Sequence, residues 1–525
     1  MVVQLSMRLA ITLSIATLLA SCGGGGGGAD SASVGIGFAS LPPESTLAAK
    51  CAAPRSGTDP FTATPYPDRQ GTLLDEQNWL AAWTNDLYLW YSEVPYPTPA
   101  GYSDAISYFY ALQTPNLSPS GAPKDKFHFS YATSVWEALS SSGIQAGYGA
   151  TWSLLSTTPP RRAVVAYTDP GTPATSLSPA LARGANILRV DGVDLVNDRT
   201  QAGVKVLNAG LFPENAGETH TFVVQDVGSA TTRTVTMVSA NVTSAPVQNV
   251  STLAGGAVGY MLFNDHMARA EPALIRAVTQ LKDAGVSDLV IDIRYNGGGY
   301  LAVASELAYM IAGPAQTAGK TFELLTFNAR HPTVDPVTLT PITPMPFQST
   351  ALGLSTTPAG TALPYLNLTR VFVLTGPDTC SASESVMNSL RGAGVEVIQI
   401  GSTTCGKPYG FYPADNCGTT YFSIQFKGVN AVGFGDYSDG FAPQNGATAG
   451  LASSAVLPGC SIGDDFTHAL GSPSEARVAA ALQFRTGGSC PAPVGLEQAG
   501  PVKLRSTGDG RVYKSPFLSN RILVR

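Results

Sequence analysis

Charge is scarce in this sequence. Asp, Glu, Lys and Arg make up 13% of the residues, the net charge is −6, and lysines and arginines nowhere gather into a patch. A partner to nucleic acid needs such a patch to neutralise phosphates, so no nucleic-acid function is expected. Histidine is scarcer still: His128, His220, His266, His331 and His468 lie far apart, without metal-ligand spacing or the setting of a Ser-His-Asp triad. Each therefore reads as structural, and neither a metal nor any other cofactor is expected. The glycine-rich stretch after Arg294 lacks the Lys-Ser/Thr pair of a phosphate-binding P-loop. After the N-terminal segment, nothing is apolar for long enough to span a bilayer.

What is present begins with a leader. Residues 1–22 carry Arg8, an apolar run over 9–20 and then Leu19-Ala20-Ser21-Cys22. The run is too short to span and ends in small residues, which marks a signal peptide. Its last four residues match a bacterial lipobox, implying cleavage before Cys22 and lipid on its thiol. Residues 23–69 open with glycines at 23–28 and read as a flexible tether. The expected location is the bacterial cell envelope, lipid-anchored and periplasm-facing, with Gly23 favouring the outer membrane over the inner. With Cys22 lipidated, an even number of cysteines remains for an oxidising compartment. The expected pairs are Cys405 with Cys417 and Cys460 with Cys490. Cys380 is either paired, setting the turn beside it, or a buried thiol.

Residues 70–142 read as a small helical domain. Trp79, Leu80, Trp83, Leu87, Trp90 and Tyr91 fall at helical spacing within 75–91, and further helices are expected at 103–113 and 134–141. The texture then changes to short strands and turns over 143–247. From 248 to 486 the pattern alternates strand and helix: a strand at 257–263, an amphipathic helix at 271–284, a strand at 289–293, the run Asn296-Gly297-Gly298-Gly299, and a helix from about Leu301. Residues 320–368 are rich in Thr and Pro and read as a long loop or hairpin. A strand over 419–426 and a closing helix over 474–484 follow.

The chemistry concentrates in 371–410. A buried strand, VFVLTG, turns through Pro377-Asp378-Thr379 into a helix starting near Ser381, and a second strand over 395–400 leads to Lys407 in CGKPYG. A serine at a helix N-terminus meets unpaired N–H groups and a dipole that favour negative charge. A lysine stripped of water can act as its base, because burial disfavours the ammonium. On propensity alone such a serine only caps its helix.

Taken with IDIRYNGGGYL and a PDZ-like stretch upstream, Ser381-Ala382-Ser383-Glu384 ahead of Gly406-Lys407 resembles the tail-specific, or C-terminal processing, serine peptidases. The resemblance covers roughly residues 70–485. It implies an α+β multidomain chain: the helical N-terminal domain, a PDZ-like β-rich domain and an α/β catalytic core similar to the crotonase-like (ββα spiral) fold, with 487–525 as an extension without counterpart. It further implies a Ser381–Lys407 dyad, an oxyanion hole drawn from Gly297 or Gly298 with Ala382, and no cofactor. Tyr148-Gly149-Ala150-Thr151-Trp152 resembles a PDZ carboxylate-binding loop, suited to protein or peptide substrates with exposed C-termini. Where the family carries a glutamine four residues after the lysine, this chain has Phe411; Glu384 or Gln425 stand as alternative orienters. Two other functions fit the same residues: an inactive PDZ-bearing adaptor, and an apolar-ligand binder. Oligomeric state is not legible.

Overall fold

The computed structural model of the chain describes residues 41–142, 144–447 and 451–492. The leader with Cys22, the start of the tether and the extension beyond residue 492 lie outside the described residues. The centre is a six-stranded sheet in the spatial order β1 (Val247–Leu253), β2 (Val258–Phe263), β3 (Asp288–Asp292), β4 (Arg370–Thr375), β5 (Glu396–Gly401) and β6 (Gly459–Ser461). β1 runs antiparallel to β2, and every other neighbour is parallel. Parallel neighbours need crossovers. Helices α1 (Ala270–Asp283), α2 (Leu301–Thr317) and α3 (Ala382–Gly392) lie in the three connections from β2 to β5, and α4 (Ala476–Gly487) follows β6.

The apolar runs read as strands because both faces are covered. Met261, Phe263, Ile291, Val371 and Val373 pack with α1, α2 and α3, while the alternate residues Tyr260, Leu262, Val290, Phe372 and Leu374 pack with Val478, Ala480 and Ala481 of α4.

A second sheet holds Ala150–Ser156, Arg162–Thr168, Asn186–Val190, Thr219–Gln225 and Arg233–Val238, all antiparallel, with helix Gln201–Leu211 between its third and fourth strands in sequence. Ala150–Ser156 ends the order and, among the described residues, has a single neighbour. Arg183 fastens this unit to the core: its guanidinium donates to Tyr295 Oη at 2.7 Å and Asp464 Oδ1 at 2.6 Å. Asp464 also accepts from fully buried Arg294, which binds Asp292 and Glu475 as well. Burial alone would raise the Asp464 carboxyl, but Arg477, Arg294 and Arg183 hold it far below the usual carboxylate range.

Three expectations are corrected. The helical segment is not a separate body. Its strand Phe129–Ala132 pairs with Thr419–Phe422, and Trp79, Trp83 and Phe109 share one apolar cluster with Tyr409, Phe411, Tyr421, Phe422 and Ile424. The described end of the tether is docked: Lys50–Cys51 pairs with Arg69–Gln70, and Cys51 is bonded to Cys417. That bond displaces the expected Cys405–Cys417 pair, because Cys417 sits on the hairpin that receives the N-terminal strand. Cys405 lies back against the turn that precedes α3 and is bonded to Cys380; Cys460 is bonded to Cys490.

Within 320–368, strand Thr321–Thr326 pairs with Met345–Pro346, and a strap follows that is held by two buried carboxylates. Glu271 accepts the N–H groups of Gly353 and Leu354, and Glu306 that of Leu352. Burial, reinforced by the neighbouring Glu271, pushes Glu306 up from 4.5 to about 8. Between those values the folded chain holds a proton that the unfolded chain has lost, so stability falls as pH rises through the window. Thermal melts across it should show that fall in the wild type, and Glu306→Gln should flatten it.

Candidate active site

Ser381 opens α3 with φ 61° and ψ −117°, a conformation that side chains rarely adopt. Strain of this kind persists only where the surroundings over-determine it. Here the turn is pinned from two sides. Toward β3, Thr379 Oγ1 donates to Ile293 O, and Cys380 N–H and Ser383 Oγ both donate to Asn296 O. Toward β5, Cys405 N–H donates to Thr379 O at 3.0 Å. Ser381 is fully buried, and its Oγ has no hydrogen-bond partner among the described residues.

Gly298 reaches the same point. With φ 101°, it lies so close that a Cβ placed on it would stand 2.9 Å from both Ser381 Cβ and Ala382 N. This contact joins the RYNGGG loop to the serine turn. Gly298 N–H donates to Asn296 Oδ1 at 3.0 Å, so of the expected oxyanion donors it is already engaged. Gly297 remains, together with Ala382 N–H, a first-turn donor that its own helix cannot pair. Asn296, given no role from sequence, is the hub of this loop. Its Oδ1 also meets His266 Nδ1 at 3.1 Å, and its Nδ2 donates to Phe263 O.

Glu384 is the third convergence. Its fully buried carboxylate accepts Ser381 N–H at 2.9 Å, Gly406 N–H at 2.9 Å, Lys407 N–H at 2.8 Å and Thr404 Oγ1 at 2.5 Å. Burial raises its pKa, and these donors work against the rise. Glu384 thus binds the backbone of the lysine loop, and these bonds do not orient the Lys407 amine. Gln425 is likewise engaged with backbone. Its Oε1 accepts Tyr412 N–H and its Nε2 donates to Tyr412 O. Lys407 is fully buried, with Nζ 4.9 Å from the Phe127 ring centroid and 4.5 Å from that of Phe411. Nearby, Lys126 Nζ donates to Cys405 O at 2.9 Å. Burial pulls the Lys126 ammonium down, against Glu384 and Asp439. Lys126 and Phe127 carry no local signal of this placement, being remote in sequence from what they touch.

In the second sheet, the peptide-loop side chains Tyr148 and Trp152 face inward. Both are buried against Phe222, with Tyr148 Oη on Gly210 O and Trp152 Nε1 on Leu211 O. Gly149 has φ 70° and packs on Thr172. Ala150 and Thr151 are half-buried on the edge strand, so what this stretch offers a ligand is chiefly backbone.

The α/β core thus presents a strained, buried serine at a helix N-terminus, against a glycine loop and tied through Glu384 to the loop of a buried lysine. Residues 257–410 match the model of peptidase family S41. A carboxyl-terminal-processing protease of Picosynechococcus sp. is 30% identical over 136 residues, 25% of this chain and 32% of that protein, so the match spans about a third of the relative. A Bacteroides fragilis crystal structure assigned to the S41 proteases superposes over 81% of this chain and 98% of its own, at 22% identity and a TM-score of 0.56, and so shares the fold.

Glu384→Ala would leave the Ser381, Gly406 and Lys407 N–H groups buried without an acceptor. Urea unfolding should show a loss of about 3 kcal/mol or more, with Glu384→Gln, which keeps one oxygen acceptor, intermediate.

Proposed function

We propose that this chain is a serine endopeptidase in which Ser381 is the nucleophile and Lys407 its base. The observation that carries this reading is the meeting of three sequence-remote segments at one point: the strained Ser381 turn, Gly298 pressed against it, and the lysine loop tied to the same turn by Glu384. Lys407 would take the hydroxyl proton as Ser381 attacks a peptide carbonyl, then protonate the leaving amine; water would release the acyl group by the reverse sequence. Gly297 and Ala382 N–H groups would receive the oxyanion, each worth on the order of 10²-fold in rate.

The 144–243 unit is read as PDZ-like and the core as crotonase-like. The edge strand Ala150–Ser156, open on one side, suits β-augmentation by a C-terminal or unfolded segment, which the unit would deliver to Ser381. A lipid on Cys22 would hold the enzyme at the envelope, facing the periplasm. Mass spectrometry of the mature chain from a bacterial host should find acyl mass on that residue and none in Cys22→Ser.

The test is hydrolysis of an unfolded protein with an apolar C-terminus by the lipid-free, disulfide-bonded chain. Ser381→Ala and Lys407→Ala should each lower turnover by about 10³-fold or more, and wild-type activity should rise on the alkaline side of neutral as Lys407 loses its proton. Binding of that C-terminus without cleavage would sink the peptidase reading in favour of an adaptor; uptake of apolar ligand alone would favour a carrier.

A further inference from the structure

We infer that Phe127 and Phe411 are positioning residues for Lys407, two aromatic faces that hold its side chain and stabilise the ammonium formed when it takes the Ser381 proton. The inference rests on the dyad reading above and adds to it two ring faces against the amine.

A lysine with no exposed surface must take up a charge during the reaction, and an ammonium away from water is costly unless something replaces its hydration. Both ring centroids lie within the roughly 6 Å over which a ring's negative face attracts a cation. Neither ring is free to swing away. Phe411 is fully buried and meets Phe129 edge-on at 5.8 Å and Phe422 at 5.3 Å, and those two rings stack on each other at 4.2 Å. Phe127 is buried, and its N–H donates to Asp125 Oδ1. The two faces come from segments far apart in sequence, and the segment around Phe127 thereby becomes part of the site.

The charged groups on the segments packed here are few. Glu384 on α3 is occupied by N–H donors, and Lys126 sits on Cys405 O. The Asp125–His128 pair is closed on itself and Tyr88, and Asp439 is bound by Ser118 and Ser120. Lys126 opposes a second positive charge nearby, whereas the rings favour it. Substituting an aliphatic side chain preserves burial and removes that favourable term, so the ammonium becomes less stable and the lysine loses its proton at lower pH.

The test compares wild type, Phe411→Leu, Phe127→Leu and Lys407→Ala for kcat and KM on the unfolded-protein substrate across the lysine titration, with thermal melts to establish folding. Each leucine variant should lose about tenfold in plateau kcat with KM little changed, and the rising limb of kcat/KM should move to lower pH by roughly one unit. Should a leucine variant not fold, pentafluorophenylalanine at 411 keeps the ring's shape while inverting the charge of its face, and the same shift is expected. Folded ring variants that titrate as wild type, beside an inactive Lys407→Ala, would overturn the inference and leave the dyad standing. A Lys407→Ala chain as active as wild type would overturn both.

Discussion

Four donors converge on the buried carboxylate of Glu384, three of them backbone N–H groups drawn from the two segments that carry Ser381 and Lys407. A carboxylate so far from water is tolerable only while all of them remain in place. The two segments therefore stand or fall together. The Cys380–Cys405 bond closes the same gap covalently, and Asn296 binds the turn from the opposite side. Under those constraints a serine can be kept at φ 61°, with Gly298 packed against it.

A second polar knot does for the domains what Glu384 does for the loops. Arg294 follows β3, two residues before Asn296, and shares Asp464 with Arg183 of the edge-strand unit. Removing either partner would leave buried charge uncompensated, so the orientation of the 144–243 unit is fixed by ions that cannot be solvated by small shifts. The path from Arg183 to the glycine loop runs through Tyr295 and a few bonds of backbone.

Much of this was legible in the sequence because it is local. VFVLTG before Pro377 and the small residues after Cys380 specify strand, turn and helix by nearest-neighbour chemistry, and AVGYMLF and DLVID read as strands because both of their faces are apolar. What stayed hidden depends on contacts between distant segments. Nothing near Phe127 marks it as a neighbour of Lys407. Cys405 and Cys417 look like partners by proximity along the chain, yet Cys405 pairs with Cys380, 25 residues before it, and Cys417 with Cys51, 366 residues before it. Residues 41–69 look like tether by composition, and what they dock on is remote: Cys51 is bonded to Cys417, Ala49 N–H donates to Asn416 Oδ1, and Leu47 joins the cluster of Trp79 and Trp83. Tyr148 and Trp152 sit in a loop-like motif, but their rings are large enough to be drawn into the core beneath it.

The seam between the N-terminal strand and that hairpin also sets a schedule. Phe129–Ala132 has no partner strand until Thr419–Phe422 exists, and Cys51 waits across a sequence separation of 366 for Cys417. A chain emerging from its N-terminus would thus carry Phe127 for most of its synthesis beside Trp79, Trp83 and Phe109 but without Tyr409, Phe411, Tyr421 and Phe422, which complete its cluster. The surroundings of Lys407 are among the last parts of the molecule to be completed, and a fragment cut short before the hairpin lacks Phe422, the ring against which Phe411 packs.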